Sequence, residues 1–245
     1  MIILPVPAAG GRAADPPREE IQLHKPIRLP LHCLKILGLS LALACSRGPT
    51  RASAPAPAEA QQSSATHGLA VAPLAGQPVA VLPITMVLAE PAATADSNYA
   101  PYRDRRMALA RTDSLIAETL QSRGPEVHWV LPPELRRMAR RAPGMLTDPD
   151  QMGQAMMRAP QLNRLPDPLR SSLRTLVAIS GGRDVFIPAA LGFSRDSAGQ
   201  VHATLSLVLA DARSGNVLWR SLAAGAGTTP DAALNAALAT IFPSE

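Results

Sequence analysis

Two stretches near the C-terminus place apolar residues at every second position and a third apolar stretch follows them, and no other feature of the chain constrains its fold as strongly. They begin at Val185, Val201 and Val217, and polar segments containing Asp, Ser and Gly separate them. A period of two is typical of strands, and short polar segments between such stretches are typical of hairpin loops. The sequence therefore predicts three consecutive antiparallel strands in one meander.

The region before the meander contains two further apolar runs, each followed by helical spacing. Residues 79–88 form a nearly continuous apolar run, the pattern of a strand buried on both faces, and residues 127–131 form a shorter one. Asp-Pro and Thr-Pro pairs mark the starts of further helices. The predicted order is β-α-β-α-α-α-β-β-β-α. We therefore expect an α/β fold with a single mixed sheet of about five strands packed by helices.

The composition limits the chemistry of the chain. The only two cysteines among the 245 residues are Cys33 and Cys45, so the sequence after Cys45 has no disulfide and no Cys-based metal site. After Cys45 every basic side chain except histidine is an arginine, with 19 Arg against 16 Asp and Glu. This small excess of positive charge does not indicate a nucleic-acid-binding protein, and we expect no nucleic-acid partner.

A short apolar run over residues 36–44 ends at Cys45 and follows Lys35. The run is shorter than the roughly 20 residues that span a bilayer, but it has the length of a secretory signal core. Ala44 and Cys45 resemble the lipobox of bacterial lipoproteins. The resemblance implies cleavage before Cys45, diacylglycerol on its thiol and acylation, for example by palmitate, of the new N-terminus. The alternatives are a plain signal peptide and a buried strand that ends in an ordinary cysteine. The position of the start codon also stays open, since it could lie downstream of Met1.

Residues 46–77 consist mainly of Ala, Pro, Ser, Gln and Gly. Such a segment cannot bury enough apolar surface to offset its ordering entropy, so the sequence predicts a disordered tether. The predicted organisation is a lipoprotein signal segment over residues 1–44, a tether over residues 45–77 and a folded α/β domain over residues 78–245.

Three local signatures resemble those of a small domain shared by several bacterial envelope lipoproteins. They are the opening strand over residues 79–83, a long helix after a polar loop, and an apolar strand that leads through Asp211 and Gly215 to a strand containing Trp219. The relatives are the curli secretion channel lipoprotein, the lipoprotein activators of penicillin-binding proteins, the flagellar outer-membrane lipoproteins and the N-terminal domain of the Tol-Pal β-propeller protein. The resemblance covers about residues 78–245. It implies a domain that binds other proteins in envelope assembly or secretion.

The sequence contains no recognisable catalytic constellation, so we expect no enzyme activity, no cofactor and no metal site. The candidate partner surface consists of a basic helix face and one tryptophan, namely Arg136, Arg137, Arg140, Arg141 and Trp219. An ordinary solvated helix face is the alternative for the arginines, and packing against a helix is the alternative for Trp219. Methionines cluster in the same region. They form either an adaptable binding surface or part of the core. The stretch 225–229 is either an anion site or an ordinary strand-to-helix turn.

These observations favour a non-enzymatic, membrane-anchored envelope lipoprotein whose domain binds a protein partner. An exported enzyme and a channel-forming lipoprotein are the alternatives. A curli-type pore requires extra strands and aromatic girdles, whereas only 3% of this chain is aromatic. Ser46 is not the Asp that signals inner-membrane retention in enteric bacteria. We therefore expect the outer membrane and its periplasmic side, with the inner membrane as the alternative. The oligomeric state stays open.

Overall fold

The computed structural model describes residues 68–242. One sheet contains six strands, which are β1 (Pro78–Val81), β2 (Val87–Ala89), β3 (His128–Val130), β4 (Asp184–Arg195), β5 (Val201–Asp211) and β6 (Val217–Gly227). The helices are α1 (Pro91–Thr94), α2 (Ala100–Arg103), α3 (Arg105–Arg123), α4 (Pro132–Arg141), α5 (Leu169–Ser180) and α6 (Pro230–Ala239). Short 3-10 turns lie at Ala72–Leu74, Ser97–Tyr99, Pro149–Gln151 and Gln154–Arg158.

The sheet is mixed, and its order is β3-β1-β4-β5-β6, with β2 also paired to β4. Strand β1 runs parallel to β3 and β4, and β2 runs parallel to the far end of β4. Strands β4, β5 and β6 form the antiparallel meander. The predicted α/β class with a single mixed sheet packed by helices is confirmed.

Two local predictions are wrong. The apolar run over 79–88 is two strands, because the chain leaves the sheet after β1 and rejoins it as β2 on the same neighbour, β4. Between them the Ile84 N–H donates to the Asp113 carboxylate on α3 at 2.8 Å, in place of a strand partner. One of the Asp-Pro pairs that predict helix starts is Asp148-Pro149, and the chain after it forms two separate 3-10 turns, Pro149–Gln151 and Gln154–Arg158, in place of a helix.

Helices cover both faces of the sheet and create two cores. On one face α3 and α6 bury large side chains against the sheet, and α6 lies over β6 and β5. On the other face α4, α5 and the Gln154–Arg158 turn cover β1, the first half of β4 and the second half of β5. Burial of such clusters contributes about 25 cal/mol per Å² of apolar surface, and it is the main force that holds these layers together.

The described part of the fold includes about ten residues that precede the predicted boundary at residue 78. The Leu69 N–H donates to the Ile241 carbonyl at 2.8 Å, and the side chains of Leu69 and Leu74 are buried in the first core. Two leucines in an otherwise small and polar stretch are therefore enough to attach residues 68–77 to the domain. The predicted signal segment, Cys45 and the first part of the predicted tether lie outside the described residues.

The turn between β5 and β6 explains the spacing of Asp211 and Gly215. The Asp211 carboxylate accepts hydrogen bonds from the Arg213 and Ser214 N–H groups and from the Ser214 hydroxyl, and Arg183 contacts it at 2.6 Å. These donors hold the pKa of Asp211 well below its usual range. Gly215 adopts a φ of 78°, which favours glycine. The motif therefore builds a hairpin.

Within residues 68–242, none of the helices combines the length and apolar character needed to cross a membrane.

Candidate partner-binding surface

Arg136 belongs to the predicted basic face, but its guanidinium turns inward and bridges two carboxylates. It contacts Asp113 Oδ2 at 3.0 Å and Asp150 Oδ1 at 2.7 Å, and its Nε donates to Asp150 Oδ2 at 2.8 Å. The other oxygen of Asp113 accepts the Ile84 N–H. Arg136 thus joins α3, α4, the Pro149–Gln151 turn and the chain after β1, which favours a structural role over a place on the partner surface.

The surroundings of Asp113 raise the pKa of its carboxyl group. Burial raises its pKa from 3.8 to about 6, although the Ile84 N–H and the Arg136 guanidinium both favour the charged form. Burial prevails because the carboxylate loses nearly all of its contact with water and gains only one cation, which Asp150 shares. The cluster is therefore an internal brace whose strength depends on pH.

Replacing Asp113 with asparagine is expected to flatten the pH dependence of stability. Because the pKa is higher in the folded chain than in the unfolded one, the folded state binds this proton more tightly. The stability that it contributes is complete below about pH 4 and is lost as the pH rises through about 6. Denaturant unfolding between pH 4 and 7 should show a loss on the order of 2 kcal/mol in the wild type relative to Asp113→Asn. Parallel curves for the two proteins would contradict this assignment.

Arg137, Arg140 and Arg141 are exposed on α4, on the side away from buried Leu135. Among residues 68–242 no carboxylate forms an ion pair with these three guanidinium groups. They stay candidates for contact with an acidic partner, and a solvated helix face stays the alternative.

Trp219 lies on β6 and is half-buried. Its ring stacks on Phe186 at a centroid distance of 6.4 Å, and Phe186 in turn meets the edge of Trp129. The side chain packs against the first core. This position favours the packing alternative over an exposed interface anchor.

The methionines divide between the two alternatives. Met152 and Met157 are buried in the second core, whereas Met145 and Met156 are exposed. Met156 lies beside the groove described below.

The stretch 225–229 is an ordinary strand-to-helix connection that brings β6 and α6 very close together. A Cβ at Gly225 would lie 2.1 Å from the Ala237 nitrogen. The glycines of this stretch therefore serve backbone packing, and Thr229 caps α6 by accepting the Ala232 N–H at 3.2 Å.

The second halves of β4 and β6 and the first half of β5 form an exposed face that sequence reasoning missed. Register aligns three rows across the strands, in which every side chain except Leu222 and His202 is small or short: Ala190, Ser206 and Leu222; Gly192, Thr204 and Ala224; Ser194, His202 and Ala226. Residues Thr204, Ala224 and Ala226 are exposed, although they lie within strands of 11 residues. The signal in the sequence is this run of small residues at alternate strand positions, where a covered face would need large apolar ones.

Larger side chains border this face and turn it into a groove of about 640 Å³. Leu88 on β2 is 57% exposed, and Met156 on the Gln154–Arg158 turn is 41% exposed. A second depression continues the groove past Gly192 and Thr204 to Glu90. Arg158 lies at the end nearest the helices, so the groove has one cation and one anion at opposite ends.

Comparisons with known proteins identify no close relative. No protein-family model and no curated protein matches the chain. Among solved structures, the LpoB C-terminal domain from Salmonella enterica is 15% identical, with a TM-score of 0.36 over 63% of this chain and 84% of that one. The PelC dodecamer from Paraburkholderia phytofirmans is 15% identical, with a TM-score of 0.33 over 72% and 88%. Lipoprotein GNA1162 from Neisseria meningitidis is 17% identical, with a TM-score of 0.30 over 60% and 78%. At these scores the likeness is distant.

Proposed function

We propose that this chain is a non-enzymatic envelope lipoprotein that is anchored through Cys45 and binds a protein partner through the sheet-face groove. The groove carries the proposal, because it leaves apolar surface of a sheet exposed where the rest of the same face is covered by helices. The lipobox at residues 41–45 supports the anchor and, with Ser46 after the cysteine, an outer-membrane position facing the periplasm.

The chemistry of the groove favours a protein over a reacting substrate. Its floor consists of small apolar side chains and the hydroxyls of Thr204 and Ser206. Among the described residues that line it, only Arg158 and Glu90 are charged, and they lie at opposite ends. Acid–base catalysis requires converging groups near one reacting atom, and this arrangement separates them.

Site-specific photo-crosslinking in living cells tests the proposal. A benzophenone side chain at Thr204 or Met156 is expected to give discrete adducts of higher mass, because both positions border the groove. The same side chain at Ser114, which is exposed on α3, is the control. Adducts at Thr204 and Met156 should fall sharply in a Cys45→Ser chain, which would no longer be anchored.

Two results would overturn the groove assignment. The first is an identical adduct pattern at Ser114 and Thr204, which indicates collision with abundant neighbours. The second is adduct formation at Arg140 alone, which would move the interface to the basic face of α4.

A further inference from the structure

The groove is the place where one helical layer of the fold is missing. On the opposite face of the sheet, α6 covers β5 and β6 as far as Gly225 and Gly227, and Tyr99 and Tyr102 cover Phe193 near the end of β4. On the groove side the covering elements stop at the Gln154–Arg158 turn. The floor rows therefore lack the layer that the same strands have on their other face.

The dimensions of this gap match one helix. From Leu88 on β2 to Ala224 on β6 the face spans three strand spacings, or about 14 Å. A helix with its side chains is about 10 Å wide. The bare part of β4, residues 190–195, is about 18 Å long, which corresponds to about 12 helical residues at a rise of 1.5 Å.

The floor is shaped to receive large side chains. A Cβ added at Gly192 would meet only the Thr204 carbonyl, at 3.9 Å, so the space above this residue is open. Ala190, Thr204 and Ala224 surround it. Leucine or phenylalanine side chains from an opposing helix would fill these positions, as ridges fill grooves in packed layers.

An extended peptide fits the face less well. The backbones of β4 and β5 are paired on both sides. The end of β4 lies between β2 and β5, and β5 lies between β4 and β6. A strand laid on this face would find no backbone partners and would have to leave its own polar groups unpaired. A helix satisfies its backbone internally and needs only an apolar side.

A second copy of the described domain also fits less well. A donor helix needs several large apolar side chains on its exposed side. Among the described residues, the helices α1 to α6 expose only two large apolar side chains, Met107 on α3 and Ile179 on α5. Neither helix offers a continuous apolar stripe to another copy.

The charges at the ends of the groove favour one direction for a bound helix. Glu90 lies at the outer end, and Arg158 lies at the end nearest the helices. The N-terminus of a helix carries partial positive charge and its C-terminus partial negative charge. A helix in the groove is therefore favoured with its N-terminus at Glu90 and its C-terminus at Arg158, and carboxylates in its last turn would add to the attraction at Arg158.

We propose that the groove binds one amphipathic helix of a partner protein, with large apolar residues on the buried side and acidic residues in its C-terminal turn beside Arg158. This inference depends on the proposed function, since it specifies the segment that the partner supplies.

Fluorescence anisotropy with two stapled helical peptides of about 14 residues tests the inference. Both peptides carry leucines on one side and two glutamates, placed in the last turn of the first peptide and in the first turn of the second. The protein is the full chain with Cys45→Ser, which avoids the lipid. The first peptide is expected to bind about threefold more tightly than the second. Arg158→Glu should abolish that difference, and Arg174→Glu, on the exposed side of α5, is the matched control.

Thr204→Arg fills the floor without touching either core, and it should weaken both peptides at least about tenfold. Equal binding of the two peptides, no binding, or binding that Thr204→Arg leaves unchanged would overturn the inference. A dimer of the full chain that Thr204→Arg dissociates would also overturn it in favour of a second copy. If photo-adducts form at the groove but any of these three peptide results is found, the proposed function would still hold. Only the inference that the bound segment is a helix would then be rejected.

Discussion

Replacing Gly225 with alanine is expected to lower the free energy of unfolding by about 3 kcal/mol or more. The added Cβ would lie 2.1 Å from the Ala237 nitrogen and 2.5 Å from the Ala233 carbonyl oxygen. Both atoms belong to the backbone of α6, so no side-chain rotation relieves the contact, and α6 must move away from β6. Such a movement opens the first core, to which α6 contributes Leu234 and Leu238. Urea unfolding followed by circular dichroism measures the loss.

Gly192→Ala is the matched control, because it is also a strand glycine in the same sheet. Its Cβ would have 3.9 Å to the nearest atom, the Thr204 carbonyl oxygen. Its free energy of unfolding is expected to stay within about 1 kcal/mol of the wild-type value. Alanine lowers the conformational entropy of the unfolded chain, which favours the folded state. Equal losses at Gly225 and Gly192 would contradict the close packing of β6 against α6.

Replacing Arg136 with alanine is expected to cost about 3 kcal/mol, because it leaves Asp113 buried without its cation. The loss should be larger at pH 8 than at pH 5. At the lower pH protonated Asp113 no longer requires a counterion, whereas at the higher pH its charge is unpaired. The pKa of Asp113, already raised to about 6, should rise further in this variant.

Arg137→Ala removes the neighbouring arginine of the same helix, whose side chain is exposed. Its effect is expected to stay below about 0.5 kcal/mol at either pH. Unfolding curves of the two variants at pH 5 and pH 8 make the comparison. A loss for Arg136→Ala that does not change with pH would show that Asp113 is not the group that needs this cation.

The sequence was sufficient to predict the class of fold because its strongest patterns are local. The alternation in β4 and β5 and the turn at Asp211 depend on residues adjacent in the chain, and the structure confirms the meander that they predict. The split of 79–88 into two strands depends on Asp113, which lies 29 residues after Ile84 and takes its backbone N–H. No local pattern contains that contact.

The candidate surface was harder to predict for the same reason. Four arginines on one helix look equivalent in sequence, and only the positions of Asp113 and Asp150 distinguish Arg136 from its three exposed neighbours. The groove depends on register, which aligns Gly192, Thr204 and Ala224 from three separate strands. Small residues at these positions indicate a groove only when the register of the three strands is known.

The intact mass of the protein recovered from membranes tests the central claim most directly, with wild type and Cys45→Ser compared. The account predicts a wild-type mass that begins at Cys45 and includes a diacylglyceryl group and acyl chains, and the loss of this mass in the variant. An unmodified full-length chain in the cytosol would contradict the account. It would remove the anchor, the envelope location and the partner class together, and would leave an α/β domain with an unassigned groove.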